Sequence, residues 1–189
     1  MLYNEKLISV LEDLENPKVE IAGGSVVGMV LSIINSLNIY ICNLTIGKNK
    51  YKDVEDEVIK IKKKNEELRN KTLNIIDEDG QILDKILKTY KTRKEEPKKY
   101  EEACKNGVEF CYNVVKLSIE TLTLANELEK IGNKMLSSDF KICKKYAFTS
   151  VEAGIINVEI NLESVNDEIY KEKIKNKCKD ALNLAEKLK

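Results

Sequence analysis

Between Ile21 and Gly47 the chain carries no charged residue, although Asp, Glu, Lys and Arg make up 34% of the sequence. In a chain this charged, an uncharged run of that length is a segment to be buried. Ala22-Gly23-Gly24 reads as a flexible turn and Ser25 as the N-cap of a helix. The helix that follows is apolar almost all round, the pattern of a central rather than a surface helix. One stripe departs from this. Ser25, Gly28, Ser32, Ser36 and Asn43 recur at helical spacing and are small or polar. Such a stripe lets a second helix approach closely or leaves room for a ligand. The run is long enough to span a membrane. Asn35, Asn38 and Asn43 argue against that, because amides are costly in lipid. No basic flank or cleavage-type pattern marks a signal peptide, so a cytoplasmic protein without a membrane partner is expected.

A chain of 189 residues is expected to form one domain, residues 1–189, with a real core. Lys and Arg number 32, as do Asp and Glu, so the net charge is zero. That argues against a nucleic-acid partner, which needs a basic excess to displace counterions. The five cysteines, Cys42, Cys104, Cys111, Cys143 and Cys178, are odd in number and form no C-x-x-C pair. Neither a disulfide framework nor a zinc site is suggested. They read as small hydrophobes in a reducing compartment. There is no histidine, which excludes Ser-His-Asp and Cys-His machinery and imidazole metal sites; no metal is expected. Proton transfer would fall to Asp, Glu, Lys, Tyr, Cys or water.

Helical periods run through the chain and strand-like alternation is missing, so the fold class is all-α: a compact multi-helix bundle around a buried central helix. A first helix is expected over Asn4–Glu15 with Leu7, Leu11 and Leu14 inward, and the charge-free helix ends near Gly47. A long helix over Lys52–Tyr90 carries an inward seam: Val54, Val58, Ile61, Asn65, Leu68, Thr72, Ile75, Asp79, Ile82, Ile86. Its steps of four and three make a bundle-type seam, and Asp79 occupies a place where an apolar residue belongs. A buried carboxylate there is either paired for structure or kept for chemistry. Pro97 suits the first turn of a fourth helix that runs to about Lys130, with Cys104, Val108, Cys111, Val115, Ser118, Leu122 and Ala125 inward. Ser137, Ser138 or Asp139 is placed to cap a fifth helix over Phe140–Ser164, and an Asp there also suits the positive end of the helix dipole. That helix pairs an apolar stripe with a second one, Ser150, Gly154, Asn157 and Asn161. The second stripe matches that of the charge-free helix, so the two would pack closely or line a polar cleft. A charged amphipathic helix over Asp167–Leu188 closes the chain.

Several segments, taken in order, resemble the formiminotetrahydrofolate cyclodeaminase and methenyltetrahydrofolate cyclohydrolase family. Gly23-Gly24-Ser25-Val26 is similar to the end of its P-x-P-G-G-G-S-V turn, and Asn43 to Tyr51 to its N-L-T-x-G-K-x-K-Y corner. Asp77-Glu78-Asp79 matches D-E-D, and Gly132-Asn133 with Ser138-Asp139 match G-N and S-D. Asn157 to Leu162 resembles N-V-R-I-N-L. The chain departs from the family at Val19, Ile21 and Ala22, where the turn has two prolines and a glycine. It departs again at Glu159, which stands for an Arg, and near Phe110, where a proline is missing.

The resemblance implies a homodimer and a tetrahydrofolate derivative as substrate. Cyclisation of the 5-formimino form with loss of ammonia is its first reading. Hydrolysis of the methenyl form to the 10-formyl form is the second, and a folate-binding or structural dimer without turnover the third. Both reactions pass through a cationic amidinium-like centre and a tetrahedral adduct, so they need a carboxylate and a proton donor at that centre. On this resemblance Asp79 is the general acid or base, and Asp139 holds the cationic centre or the pterin. Asn43, Asn157 and Asn161 hydrogen-bond the pterin or the adduct, with Gly23, Gly24, Ser25 and Ser138 around them. Lys48 and Lys50 meet the glutamate tail, and Tyr51 lines the cleft.

Overall fold

Steps of four and three close into helices with one buried face. In the computed structural model, which describes residues 5–16 and 21–189, six α-helices build the protein. They are α1 (Leu7–Glu15), α2 (Gly23–Asn43), α3 (Glu55–Lys91), α4 (Pro97–Ile131), α5 (Ser137–Glu163) and α6 (Glu168–Leu188). Short 3-10 turns, Asn49–Val54 and Lys134–Leu136, lead into α3 and α5. The departure at Val19 lies outside the described residues.

Helix α2 sits in the middle, packed against α3, α4 and α5. Leu31 and Ile41 are fully buried, as are Val115 and Leu122 of α4 and Val151 of α5. Each such side chain contributes about 1.5–3 kcal/mol relative to exposure. By length and composition α2 could cross a membrane; here 61% of its most apolar window lies inside the bundle. Its buried polar side chains, Ser25, Ser32, Asn35 and Asn38, each make a hydrogen bond to a neighbouring helix. Ser32 Oγ lies 2.9 Å from Thr72 Oγ1 of α3. Asn38 Nδ2 donates to Asn65 Oδ1 of α3 at 3.0 Å, and Asn35 Nδ2 to Thr121 Oγ1 of α4 at 3.2 Å. These bonds fix the rotation of α2 against both neighbours.

From Val58 on, the α3 seam is as counted; Val54, its expected first member, lies in the 3-10 turn before α3, which starts at Glu55 rather than Lys52. Val58, Ile61, Asn65, Leu68, Thr72 and Ile75 are buried, whereas Asp79, Ile82 and Ile86 are half-buried. The seam is therefore closed up to Ile75 and opens at Asp79. Pro97 stands in the first turn of α4, all seven of that helix's expected inward residues are buried, and all five cysteines are buried and free.

Four local expectations are corrected. Ser25 is not an N-cap: α2 begins at Gly23 after Ala22, without a side-chain cap, because the Ser25 hydroxyl is engaged by α3. The same helix ends at Asn43, not Gly47, and a turn through Gly47 at φ +79° follows. Ser137, Ser138 and Asp139 lie inside the first turn of α5, and none caps it; Asn133 instead accepts from Met135 N and caps the preceding 3-10 turn. Finally, Leu7 (69% exposed), Leu11 and Leu14 point outward, and Val10 is the buried residue of α1.

The two small-residue stripes also part company. The α2 stripe leans on α3, where a Cβ on Gly28 would come within 3.0 Å of the Thr72 carbonyl oxygen. The α5 stripe leans on α4, with Gly154 against Val115. The two helices come together at Gly23 and Asn157, where the crevice lies.

Candidate functional site

Asp79 leaves the α3 seam one step beyond the last closed layer and points at the first turn of α2. Its Oδ2 accepts a hydrogen bond from the Ser25 backbone N–H at 2.9 Å. The Ser25 hydroxyl lies 3.1 Å from the same oxygen and 3.0 Å from the Ile76 carbonyl oxygen. Free N–H groups at a helix start favour a negative partner, so the carboxylate and the turn hold each other. The backbone passes so close that a Cβ on Gly24 would lie 2.6 Å from the Asp79 carboxyl carbon. Only glycine fits there. At Ala22, by contrast, φ is −134° and ψ −165°, extended backbone that any residue adopts, so the alanine there is unstrained.

Around this carboxylate lies a crevice of about 250 Å³. Ala22, Gly23 and Gly24 form one wall, Asp79, Ile82, Leu83 and Ile86 a second. Phe110 and Cys111 of α4 and Asn157, Ile160 and Asn161 of α5 complete it. Asn161 Nδ2 donates to the Asn157 carbonyl oxygen at 2.8 Å and lies 3.5 Å from Cys111 Sγ. A Cβ on Gly107 would come within 3.0 Å of Asn161 Oδ1, so the glycine gives the amide its place. Among the described residues, none donates a hydrogen bond to Asp79 Oδ1 and no Lys or Arg lines the crevice. The arrangement thus offers one carboxylate oxygen fixed and one open, two amides, and apolar walls suited to a flat ring. Burial first, and then the Asp79 charge, push the Cys111 thiol up to about 12, so it stays protonated and is a poor nucleophile. Among the described residues no group of three or more Cys, Asp or Glu could hold a metal ion.

The structure gathers Gly23, Gly24, Ser25, Asp79, Asn157 and Asn161 and leaves the other sequence-derived candidates at the far end. Asp139 and Asn157 are roughly 27 Å apart along α5, at 1.5 Å per residue, and Gly24 and Asn43 about 28 Å apart along α2. At that far end Tyr51 is buried, not lining a cleft: its hydroxyl accepts from Lys134 N at 3.0 Å and lies 3.4 Å from Asn133 Oδ1. Asn133 in turn donates from its backbone N–H to Thr45 Oγ1 and from its amide to the Leu44 carbonyl oxygen. This buried knot shapes a corner from which Asn43, Lys48, Lys50 and Ser138 emerge exposed, with Asp139 half-buried beside them. Sequence reasoning missed the apolar lining as lining. Ile82 and Ile86 were in the counted seam directly after Asp79, and Cys111 was in the α4 stripe. Phe110 and Ile160 gave no signal.

A helical bundle with one carboxylate and two amides around a small crevice defines a class of small-molecule site without histidine. The chain belongs to the formiminotransferase-cyclodeaminase family, whose model matches residues 6–180. It is 26% identical to a methenyltetrahydrofolate cyclohydrolase of Methylorubrum extorquens, over 91% of this chain and 86% of that one. It is 23% identical to the formimidoyltransferase-cyclodeaminase of Rattus norvegicus, over 86% of this chain but 31% of the rat protein. Its fold matches the crystal structure of a formiminotetrahydrofolate cyclodeaminase from Thermotoga maritima at a TM-score of 0.94 and 23% identity, covering 100% of this chain and 93% of the other.

Proposed function

We propose that the protein is an enzyme of folate one-carbon metabolism and that the Asp79 crevice receives the reacting end of a tetrahydrofolate derivative. The observation that carries this is the division of the Asp79 carboxylate, with Oδ2 held by Ser25 and Oδ1 open to a crevice lined by no Lys or Arg among the described residues. An amidinium carbon brought there meets an unneutralised negative charge in a partly desolvated place, where electrostatic stabilisation is strongest. Asn157 and Asn161 supply amide donors and acceptors for ring edges, and the apolar walls cover a flat ring face.

For the reaction itself we favour hydrolysis of the 5,10-methenyl bridge, on the strength of the M. extorquens relative, which the chain matches along 86% of that protein's length. Water adds to the bridge carbon while Asp79 takes one of its protons. The bond between carbon and N5 then breaks as the adduct's oxygen closes to the formyl carbonyl; Asp79 hands its proton to N5, the hydroxyl proton leaves to water, and the 10-formyl form departs. Cyclisation of the 5-formimino form is the second reading, favoured by the family match and by the rat relative. There N10 attacks the formimino carbon, and Asp79 passes the N10 proton to the departing ammonia.

The chain works as one domain and as a homodimer in this reading, and five free thiols suit the cytoplasm. The test is incubation with both folates while methenyl absorbance and ammonia are followed. Loss of methenyl absorbance without ammonia is the expected result. Ammonia with rising absorbance marks the second reaction, and conversion of neither overturns the proposal.

A further inference from the structure

The end of α4, the first half of α5 and Lys189, just after α6, enclose a second cavity, of about 420 Å³. Its lining is Glu129, Lys141, Lys144, Lys145, Phe148 and Lys189. It shares no residue with the Asp79 crevice, and Phe148 is about 14 Å from Asn157 along α5. It is larger than that crevice and falls within the ~300–1,000 Å³ of small-ligand pockets.

Four of the six lining residues are lysines, and they are not equivalent. Lys144 is fixed: its Nζ lies 2.8 Å from Glu129 Oε2 and 3.2 Å from Asn126 Oδ1, and its side chain is 15% exposed. That pair neutralises Glu129, the one carboxylate side chain among the described lining residues. Lys189 is paired with Glu186, and its Nζ lies 4.6 Å from the centre of the Phe148 ring. Lys141 and Lys145 are exposed and make no ion pair among the described residues.

Elsewhere the chain treats its lysines differently. Six of the eight ion pairs among the described residues join a lysine to an acid three or four positions away, so a cation is offset within one helical turn. Around Lys141 the positions one turn away are Ser137, Ser138, Lys144 and Lys145; around Lys145 they are Lys141, Ile142, Phe148 and Thr149. None is acidic. Like charges one turn apart destabilise a helix, so this cluster works against α5 until an anion from outside offsets it. Between the ammonium groups the cavity is apolar. Phe148, 8% exposed, lines it, and the lysine stems add methylene groups below their charged heads. A bare inorganic ion would leave that surface unused.

We propose that this cavity is a second ligand site and that it takes an organic anion with two or more negative charges and a flat apolar part. The charges meet Lys141 and Lys145, and the apolar part covers Phe148 and the lysine stems. Glu129, held by Lys144, does not turn the anion away. Phosphates and carboxylates both satisfy this chemistry. The site stands independently of the folate reading, because it uses no residue of the Asp79 crevice.

Titration calorimetry at low salt tests it with two ring-bearing anions, ATP and benzene-1,3,5-tricarboxylate, and their ring-free counterparts, tripolyphosphate and citrate. At least one ring-bearing anion is expected to bind, one per chain, about tenfold tighter than its counterpart. Binding of ATP alone identifies a phosphate ligand, of the tricarboxylate alone a carboxylate one, and of both the shared chemistry. Lys141→Gln/Lys145→Gln is expected to weaken binding by about 100-fold, since each ammonium makes a charge-assisted bond. Its helix content and urea midpoint are expected at or above those of the native chain, because a repulsion is removed. Lys60→Gln/Lys64→Gln makes the same charge change at two exposed positions of α3 and is expected to alter affinity by less than about twofold, the distant charges being screened. Asp79→Asn is expected to bind as the native chain does. No binding of either ring-bearing anion at up to about 10 mM, weaker than the weakest useful affinities, overturns the proposal. So do equal affinities with and without the ring, equal losses in the two double variants, or loss of binding in Asp79→Asn.

Discussion

Asp79 and Ser25, from two different helices, share a single oxygen: Oδ2 takes the Ser25 backbone N–H at 2.9 Å and lies 3.1 Å from its hydroxyl. The carboxylate is thereby held from one side only, and its second oxygen is left to the crevice. The chain has no histidine, and Asp79 brings the only carboxylate among the described residues that line the crevice.

Asp79→Asn is expected to lower kcat/KM by about 10²–10⁴, the usual worth of a positioned acid or base, with helix content and urea midpoint little changed. Gly24→Ala reaches the same group from the other helix. Its methyl collides with the carboxyl and is expected to cost about 1–3 kcal/mol of stability as well as activity. Activity retained in Asp79→Asn would remove the carboxylate from the chemistry.

Ser25→Ala keeps the backbone N–H bond and loses the hydroxyl. A stability loss of about 0.5–1.5 kcal/mol is expected. Turnover should fall several-fold, far less than in Asp79→Asn. Equal losses in the two variants would show that the hydroxyl, not the carboxylate, carries the reaction.

Asn65→Leu strands the Asn38 amide inside the α2–α3 contact and is expected to cost about 1–3 kcal/mol. The double variant Asn38→Leu/Asn65→Leu is expected to recover part of that, because no unpaired polar group then remains. Only Asn65→Leu and the double variant need be compared with the parent by chemical denaturation, and the Asp79 crevice, at the start of α2, is expected to keep its activity.

Alkaline pH should unfold the protein through its thiols. Burial pushes Cys42, Cys111 and Cys143 from an ordinary 9.0 up to about 12. Below pH 9 folded and unfolded chains both hold these protons, and the stabilisation is fully present. Above it the unfolded chain releases protons that the folded one keeps, so stability falls by about 1.4 kcal/mol per pH unit for each thiol until about pH 12. Urea midpoints between pH 9 and 10.5 test this, and Cys42→Ala is expected to flatten the slope.

The helices were legible because their signals are local: a seam of fours and threes in α3, Pro97 at the start of α4, an uncharged α2. Asp79 was legible for the same reason, as a carboxylate where the seam calls for an apolar side chain. Capping was misread at Ser25 because its hydroxyl is claimed by Ile76 and Asp79, fifty residues further on. The outward turn of Leu7, Leu11 and Leu14 was illegible because periodicity tells which residues share a face but not whether anything in the chain covers it. Asp139 and Lys48 were grouped with Asp79 on family resemblance, which carries no information about which end of a helix a motif occupies.

Gly24, Ser25 and Gly28 all lean on α3, two through close approach and one through hydrogen bonds. A shift of α2 that set Ser25 in the place of Gly24 would drive its side chain into the Asp79 carboxyl. The pairing that positions the carboxylate is therefore also the gauge by which the two helices find their register. A chain that has folded correctly has, by the same act, set the carboxylate at the crevice.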